Sequence, residues 1–360
     1  MAGGAVNLAG EVMKFIDLSP TTAVSVAGLG FLGGVLSGFL GSGGAFVMTP
    51  GMMALGVPGI AAVSSNLAHK FGKALVGAKK HSKMGNVDAK LGIFMIIFLL
   101  LGVNMAVHLQ EAIFSSLGKA GSNLYISIVF VVLLSGLSIF IIRDILGQGK
   151  KKKESAKNPL AEKICNLNIP PMIYFKVANV RVSLWFVALI AMATGWLAGT
   201  VGVGGFVGVP AMIYLLGIPT TVAAGTELFL AIFSGALGAF QYALHGFVDI
   251  RLVLLLYLGS LIGLHIGANA TKMVSEQKIK LVMAVVIGMS AISRGFAIPK
   301  YLGDLKMATF STGVTNVLDM AAAVSLYGGA VAGVIMIIGY VVQFKRRNKL
   351  DTQYVQSPGH

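Results

Sequence analysis

The stretch Gly38-Phe39-Leu40-Gly41-Ser42-Gly43-Gly44-Ala45-Phe46, followed by Pro50 and by Gly56-Val57-Pro58, decides the fold. It lies inside a run without Asp, Glu, Lys or Arg that extends from residue 18 to residue 69. Glycine is about 1 kcal/mol worse than alanine inside a helix, so the four glycines in 38–44 end the helix that enters them. The apolar helix that follows, residues 45–55, rises only about 16 Å. A hydrocarbon core is ~30 Å thick, so this segment reads as a half-spanning or re-entrant helix. Irregular backbone at that depth survives only where protein or a water-filled cavity satisfies its polar groups.

The pattern returns 161 residues later (199 − 38 = 161). Gly38, Gly41, Gly43 and Gly44 fall on Gly199, Gly202, Gly204 and Gly205, and Gly56 and Pro58 fall on Gly217 and Pro219. Gly77 falls on Gly238, Gly85-Asn86-Val87-Asp88 falls on Gly246-Phe247-Val248-Asp249, and Pro50 matches Pro210 with a one-residue slip. Matched Gly, Pro and Asp are harder to obtain from composition than matched Leu or Val. The expected fold is all-α: a polytopic transmembrane helical protein with two internal repeats and Gly-broken half-helices at 45–55 and 204–216. Transporters are commonly built this way, with the substrate near the repeat interface.

Composition points to the same class. Of the 360 residues, 56% are hydrophobic and 11% charged, against about 25% charged in soluble domains. Charge-free runs also cover 182–226 and 252–271. The net charge of +15 resides mainly in short segments such as Lys79-Lys80-His81-Ser82-Lys83, Lys150 to Lys153, and Lys345-Arg346-Arg347. Lysine and arginine in short loops set membrane orientation, so the basic balance reports topology rather than nucleic-acid binding. The single cysteine, Cys165, cannot form an internal disulfide and reads as an incidental cytosolic thiol. The first twenty residues lack the pattern of a cleaved signal peptide.

Residues 1–143 form the expected first repeat, 144–181 a basic cytoplasmic linker, 182–298 the second repeat, and 299–360 an extra C-terminal span with a basic tail. The 79–90 loop and the linker are placed on the inner side of the cytoplasmic membrane by their basic residues, which puts the N-terminus on the cytoplasmic side as well. Four spans per half then make the repeats parallel, unless a half-helix hides a crossing. A last span at 320–344 would put Lys345-Arg346-Arg347 outside, against the same rule, unless 305–319 also enters the membrane.

The run 38–58 and its echo Gly199-Thr200-Val201-Gly202-Val203-Gly204-Gly205 … Pro210 … Gly217-Ile218-Pro219 resemble the hallmark of the TauE/SafE family of sulfite exporters and related permeases. The resemblance spans roughly residues 22–297. It implies transport of a small sulfur-containing anion such as sulfite, a sulfonate or sulfoacetate. The long basic central segment and the extra C-terminal span depart from the family pattern.

Several residues are candidates for binding that anion. A helix that starts after Ser42-Gly43-Gly44, or after Gly204-Gly205, points unpaired backbone N–H groups and a partial positive charge at what lies before it. On the next helix Asn66, Lys70, Lys73 and Gly77 share one face, with Ser65 at its start. Their matched positions are Glu227, Ala231, Ser234 and Gly238, with Thr226 at the start. A charge at bilayer depth faces a cavity and has a partner, so Glu227 is expected to pair with Lys70 or Lys73, or to carry a coupling proton. The expected substrate site is therefore Ser42, Gly43, Gly44, Ser65, Asn66, Lys70, Gly204, Gly205 and Thr226, with Glu227 for proton coupling. Asn104 aligns with His265 and His108 with Asn269, while Arg294 and Gln241 read as end-of-helix residues. Asp88 and Asp249 read as caps of the helices that follow them.

No enzyme signature, metal site or cofactor is implied. The expected partners are a small anionic substrate and the bilayer, not nucleic acid, and the sequence carries no signature of oligomeric state. Two other classes fit the same residues, a passive anion channel and a membrane accessory or sensory subunit that binds without transporting.

Overall fold

The computed structural model of the protein describes residues 16–40, 44–148, 162–164, 167, 169–202, 204–271 and 273–356. Ser42, Gly43, Lys150 to Lys153 and Cys165 lie outside the described residues.

Among the described residues ten helices follow one another: α1 (Pro20–Leu40), α2 (Ala45–Ala54), α3 (Gly59–Lys83), α4 (Ala89–Gln148), α5 (Leu184–Val201), α6 (Gly205–Tyr214), α7 (Thr220–Leu244), α8 (Ile250–Thr271), α9 (Glu276–Asp304) and α10 (Thr312–Gln356). A short antiparallel hairpin, β1 (Met172–Phe175) and β2 (Val180–Ser183), precedes α5. Seven of the helices are long and apolar enough to cross a bilayer. The chain is a multi-pass helical membrane protein, as its composition implies.

Helix α4 counts once among the seven, yet its 60 residues would measure about 90 Å if straight. Gly118, at φ 61° and ψ −157°, breaks it into two arms. Helix α3 is not among the seven because its lysines lower its hydropathy, although its 25 residues reach about 38 Å.

Glycines set the closest helix contacts. Helices α1 and α8 run parallel, with Gly30, Gly34 and Gly38 against Leu256, Ser260 and Leu264. From the other side, Gly259, Gly263 and Gly267 meet Ala27, Phe31 and Val35. A Cβ on Gly34 would stand 2.5 Å from the Ser260 carbonyl oxygen, so the backbones touch directly, as small residues allow between membrane helices. The first arm of α4 lies along α5 in the same manner, through Gly102, Gly195 and Gly199.

Helices α3 and α7 run antiparallel at the centre. The start of α3 meets the loop beyond α7, where Ser64 Oγ donates to the Phe247 carbonyl oxygen at 2.6 Å. The start of α7 meets the loop beyond α3, where Gly225 rests on Asn86. Under the offset of 161 residues, the bounds 59–83 of α3 become 220–244, the bounds of α7. The left-handed turn glycines also fall in register, Gly56 with Gly217 and Gly85 with Gly246.

The short helices complete the topology. Helix α2 folds back along α1, with Gly44 and Met48 on Gly33 and Gly51 on Leu29. It brings the chain back to the face where α1 began, so α3 starts there too. Each half therefore has five legs rather than four: α1, α2, α3 and the two arms of α4, then α5 to α9. An odd number of legs makes α5 enter from the face opposite to α1. The half-helix does hide a crossing.

One face carries the 84–88 loop, the β-hairpin, the α8–α9 turn and the C-terminal end of α10. Asp88 joins the first two, its Oδ2 accepting from the Val177 and Ala178 N–H groups at 3.0 and 2.9 Å. Lys278 joins the last two by donating to Gln343 Oε1 at 2.7 Å. The other face carries the start of α1, the 55–58 loop, the Gly118 turn and the loops after α7 and α9. Lys119 Nζ donates there to the Gly56 carbonyl oxygen at 2.8 Å.

Candidate functional site

The two short helices meet at the centre of the molecule, where the rings of Phe46 and Phe206 stand edge to face at 4.7 Å. Helix α6 folds back along α5 as α2 does along α1. A Cβ on Gly204 would lie 2.7 Å from the Thr194 carbonyl oxygen, so this approach requires glycine. Beside that junction α3 crosses α7, with Gly235 against Phe71 and Leu67.

The polar face of α3 is directed into the junction. Asn66 Nδ2 donates to Thr49 Oγ1 at 2.8 Å, and Thr49 Oγ1 donates to the Val201 carbonyl oxygen at 3.3 Å. These bonds tie α3, α2 and the end of α5 together. Helix α5 ends at Gly202 in the left-handed conformation, φ 79°, and a Cβ there would stand 3.0 Å from Asn66 Nδ2.

One turn further along α3, Lys70 Nζ faces Glu227 Oε1 at 4.0 Å. The Glu227 carboxylate rests on the first turn of α6. A Cβ on Gly205 would be 3.0 Å from Oε1, and one on Gly208 would be 2.7 Å from Oε2. The dipole of the helix favours a carboxylate beside that first turn. The anionic group against the first turn of α6 is thus the protein's own.

The site retains unused hydrogen-bonding capacity. Lys70 Nζ, Glu227 Oε2, Asn66 Oδ1 and Thr194 Oγ1 are buried without a hydrogen-bond partner among the described residues. Buried polar groups are paired in the great majority of cases, so four orphans around one junction single it out as the candidate site. Lys73, one turn beyond Lys70, donates to Ser37 Oγ on α1 at 3.4 Å. Two ammonium groups and a helix N-terminus against one carboxylate leave the junction electropositive, which suits an anion.

Asn66, Lys70, Gly205 and Glu227 are therefore brought together, with Gly204 immediately before α6. Gly44 is spent on the close contact with Gly33. Ser65 and Thr226 do something else. Ser65 Oγ accepts from the Asp249 N–H and Thr226 Oγ1 from the Asp88 N–H, both at 3.2 Å. Each fastens the start of a helix in the other half. Asp88 and Asp249 also accept from N–H groups of their own helices, those of Leu91 and Arg251.

Asn104 and His265 do not join this junction. Asn104 Oδ1 accepts from Gln241 Nε2 at 2.6 Å, and His265 Nδ1 contacts the Leu261 carbonyl oxygen of its own helix at 2.8 Å. Arg294 is no end-of-helix residue: it is buried within α9, because α10 covers the face that spacing alone leaves open. Thr49, Thr194 and Ser37 were not singled out from the sequence. Their signal is modest, a lone hydroxyl within an otherwise apolar charge-free run.

Comparison with known proteins fits this architecture. The model of the family described as sulfite exporter TauE/SafE matches residues 26–294. The probable membrane transporter protein YjnA of Bacillus subtilis is 25% identical over 282 residues, covering 75% of this chain and 98% of its own. The probable membrane transporter proteins YdhB and YunE of the same organism are 25% and 26% identical, covering 69% and 72% of this chain and 91% and 92% of theirs. No solved structure matches the chain. From the duplicated glycine breaks to the matched span, the chain belongs to the sulfite exporter TauE/SafE family.

Proposed function

We propose that the chain is a secondary transporter that carries a small sulfur-containing anion, sulfite or a sulfonate, across the cytoplasmic membrane. Lys70, Asn66 and the first turn of α6 form its anion site, and Glu227 is the resident carboxylate that the substrate displaces. The observation that carries this reading is the placement of the Glu227 carboxylate against Gly205 and Gly208, beside Lys70. A helix N-terminus and an ammonium both favour an anion. A second anion can use the same pair only if Glu227 moves away or takes up a proton. Proton and substrate then occupy the site together, and coupling of this kind is reciprocal. Transport follows when one half rocks against the other around the junction, as in other transporters built from two halves.

The same reading sets orientation. Lys79, Lys80, Lys83, Lys278 and Arg346 gather on the face of the 84–88 loop, and the positive-inside rule makes that face cytoplasmic. The basic tail then lies inside, which removes its conflict with the rule, and the start of α1 lies outside. This reverses the N-terminal side expected from the basic loops, because α2 adds a leg that the expectation did not count.

Sulfite titration of the purified chain, followed by thermal unfolding at a fixed saturating chloride concentration, tests the site. A ligand that binds only the folded state raises its stability in proportion to RT ln(1 + [L]/Kd). Sulfite is expected to raise the melting temperature of the wild type and to have little effect on Lys70→Ala. A wild type indifferent to sulfite and to sulfonates would remove the substrate assignment. An undiminished response in Lys70→Ala would remove the site.

A further inference from the structure

Arg294 belongs to no part of the junction described above. It is 1% exposed and heads the largest fully buried side chains. It stands ten residues before Asp304, the end of α9, a rise of about 15 Å. A guanidinium does not lose its proton in proteins. Charges at bilayer depth are rare and are balanced by a partner or a polar cavity.

The groups around Arg294 do not supply that balance. Nη2 donates to Ser293 Oγ at 3.4 Å, long for a hydrogen bond, while Ser293 Oγ itself donates to the Ala322 carbonyl oxygen at 2.7 Å. Tyr301, Tyr327 and Asp319 are near enough to act on it electrostatically. Tyr327 donates instead to the Gly51 carbonyl oxygen at 3.2 Å. Asp319 is held by Lys300 Nζ at 2.5 Å. Nε and Nη1 of Arg294 are buried with no hydrogen-bond partner among the described residues. Between α9 and α10 the neighbouring wall includes Ala297 and Ala322, which are small.

We infer that Arg294 and Tyr301 hold a small anion, of halide or sulfur-oxyanion size, between α9 and α10. This second site is separate from Lys70 and does not depend on the transport reading. The fork of the guanidinium offers two N–H groups with no other acceptor. The Tyr301 hydroxyl, close enough to feel the guanidinium, has a hydrogen to donate to the same anion. The bound anion neutralises the charge where the C-terminal span seals against α9.

The test is thermal unfolding of the full purified chain in gluconate buffer, titrated separately with chloride, bromide and sulfite. Saturable stabilisation by halide is expected in the wild type and in Lys70→Ala, and is lost in Arg294→Gln. Should Arg294→Gln fail to fold, Tyr301→Phe reads the same site with the charge intact. One lost hydrogen bond to a charged ligand raises the apparent Kd roughly tenfold or more. Crystals grown with bromide should show an anomalous peak against the guanidinium. Stabilisation by sulfite instead of halide, kept in Lys70→Ala and lost in Arg294→Gln, would assign the same site to the transported class of anion. Absence of a saturable halide response in the wild type, with any sulfite response lost in Lys70→Ala, would overturn the inference. So would a halide response that survives Arg294→Gln, or a Tyr301→Phe variant with unchanged halide Kd.

Discussion

Helices α3 and α7 have the same length and matched bounds, and they differ in an instructive place. At their starts the two do the same thing: Ser65 receives the Asp249 N–H and Thr226 the Asp88 N–H, each at 3.2 Å. One residue further on they diverge. Asn66 on α3 stands where Glu227 stands on α7, and Lys70 stands where α7 has Ala231. The fastenings hold two antiparallel helices in one frame, so both halves need them equally. On the proposed reading the junction binds an anion, and it holds one carboxylate beside one ammonium rather than two of either. Likeness at the ends reflects architecture, and unlikeness in the middle reflects chemistry.

The largest effect is expected from Glu227→Gln. It leaves Lys70 as a buried cation without its counter-charge, which costs about 3–5 kcal/mol in comparable buried pairs. Chemical unfolding in detergent reads this loss, and Lys70→Met added to Glu227→Gln should recover most of it. An additive double variant would show that the two residues do not interact. Lys70→Ala comes next. Removing a charge-assisted bond worth about 1.5–3 kcal/mol should raise the sulfite Kd roughly 10- to 150-fold in equilibrium binding.

Ser65→Ala and Thr226→Ala test the likeness. Each leaves a buried N–H unpaired and should cost about 1–3 kcal/mol, equally in both, with sulfite affinity unchanged. A loss confined to one of them, or a change in affinity, would break the comparison. The smallest effect is expected from Ser64→Gly, which copies Gly225 at the matched position. It removes the bond to Phe247 and adds a helical glycine, at a cost of about 1–2 kcal/mol.

Much of this could be read before any coordinates. The spacing of Asn66, Lys70 and Lys73 marks one face of a helix, and that face does point at the junction. Glu227 is isolated in an apolar run, and its pairing with Lys70 at 4.0 Å is one of the alternatives expected from the cost of a buried charge. Three things were not legible. Hydropathy measures the length of a segment and not its direction, so α2 and α6 could not be counted as returning legs. The role of Ser65 and Thr226 depends on loops 184 and 138 residues away, which no local pattern predicts. The burial of Arg294 depends on α10, which covers it only after the chain has folded back. The central segment shows the same limit. A polar linker is expected from residue 144, yet α4 continues to Gln148 and Asp88 grips the turn of a β-hairpin.

The most direct measurement is uptake of labelled sulfite into proteoliposomes that contain only this chain, with and without an inward proton gradient. If Glu227 is the carboxylate that must be neutralised before the anion binds, acid outside should accelerate uptake by the wild type. Glu227→Gln should take up sulfite at a rate independent of the gradient. Uptake that ignores the gradient in the wild type, or that follows it undiminished in Glu227→Gln, would contradict proton coupling at this residue. Binding without any uptake would contradict transport by the chain alone.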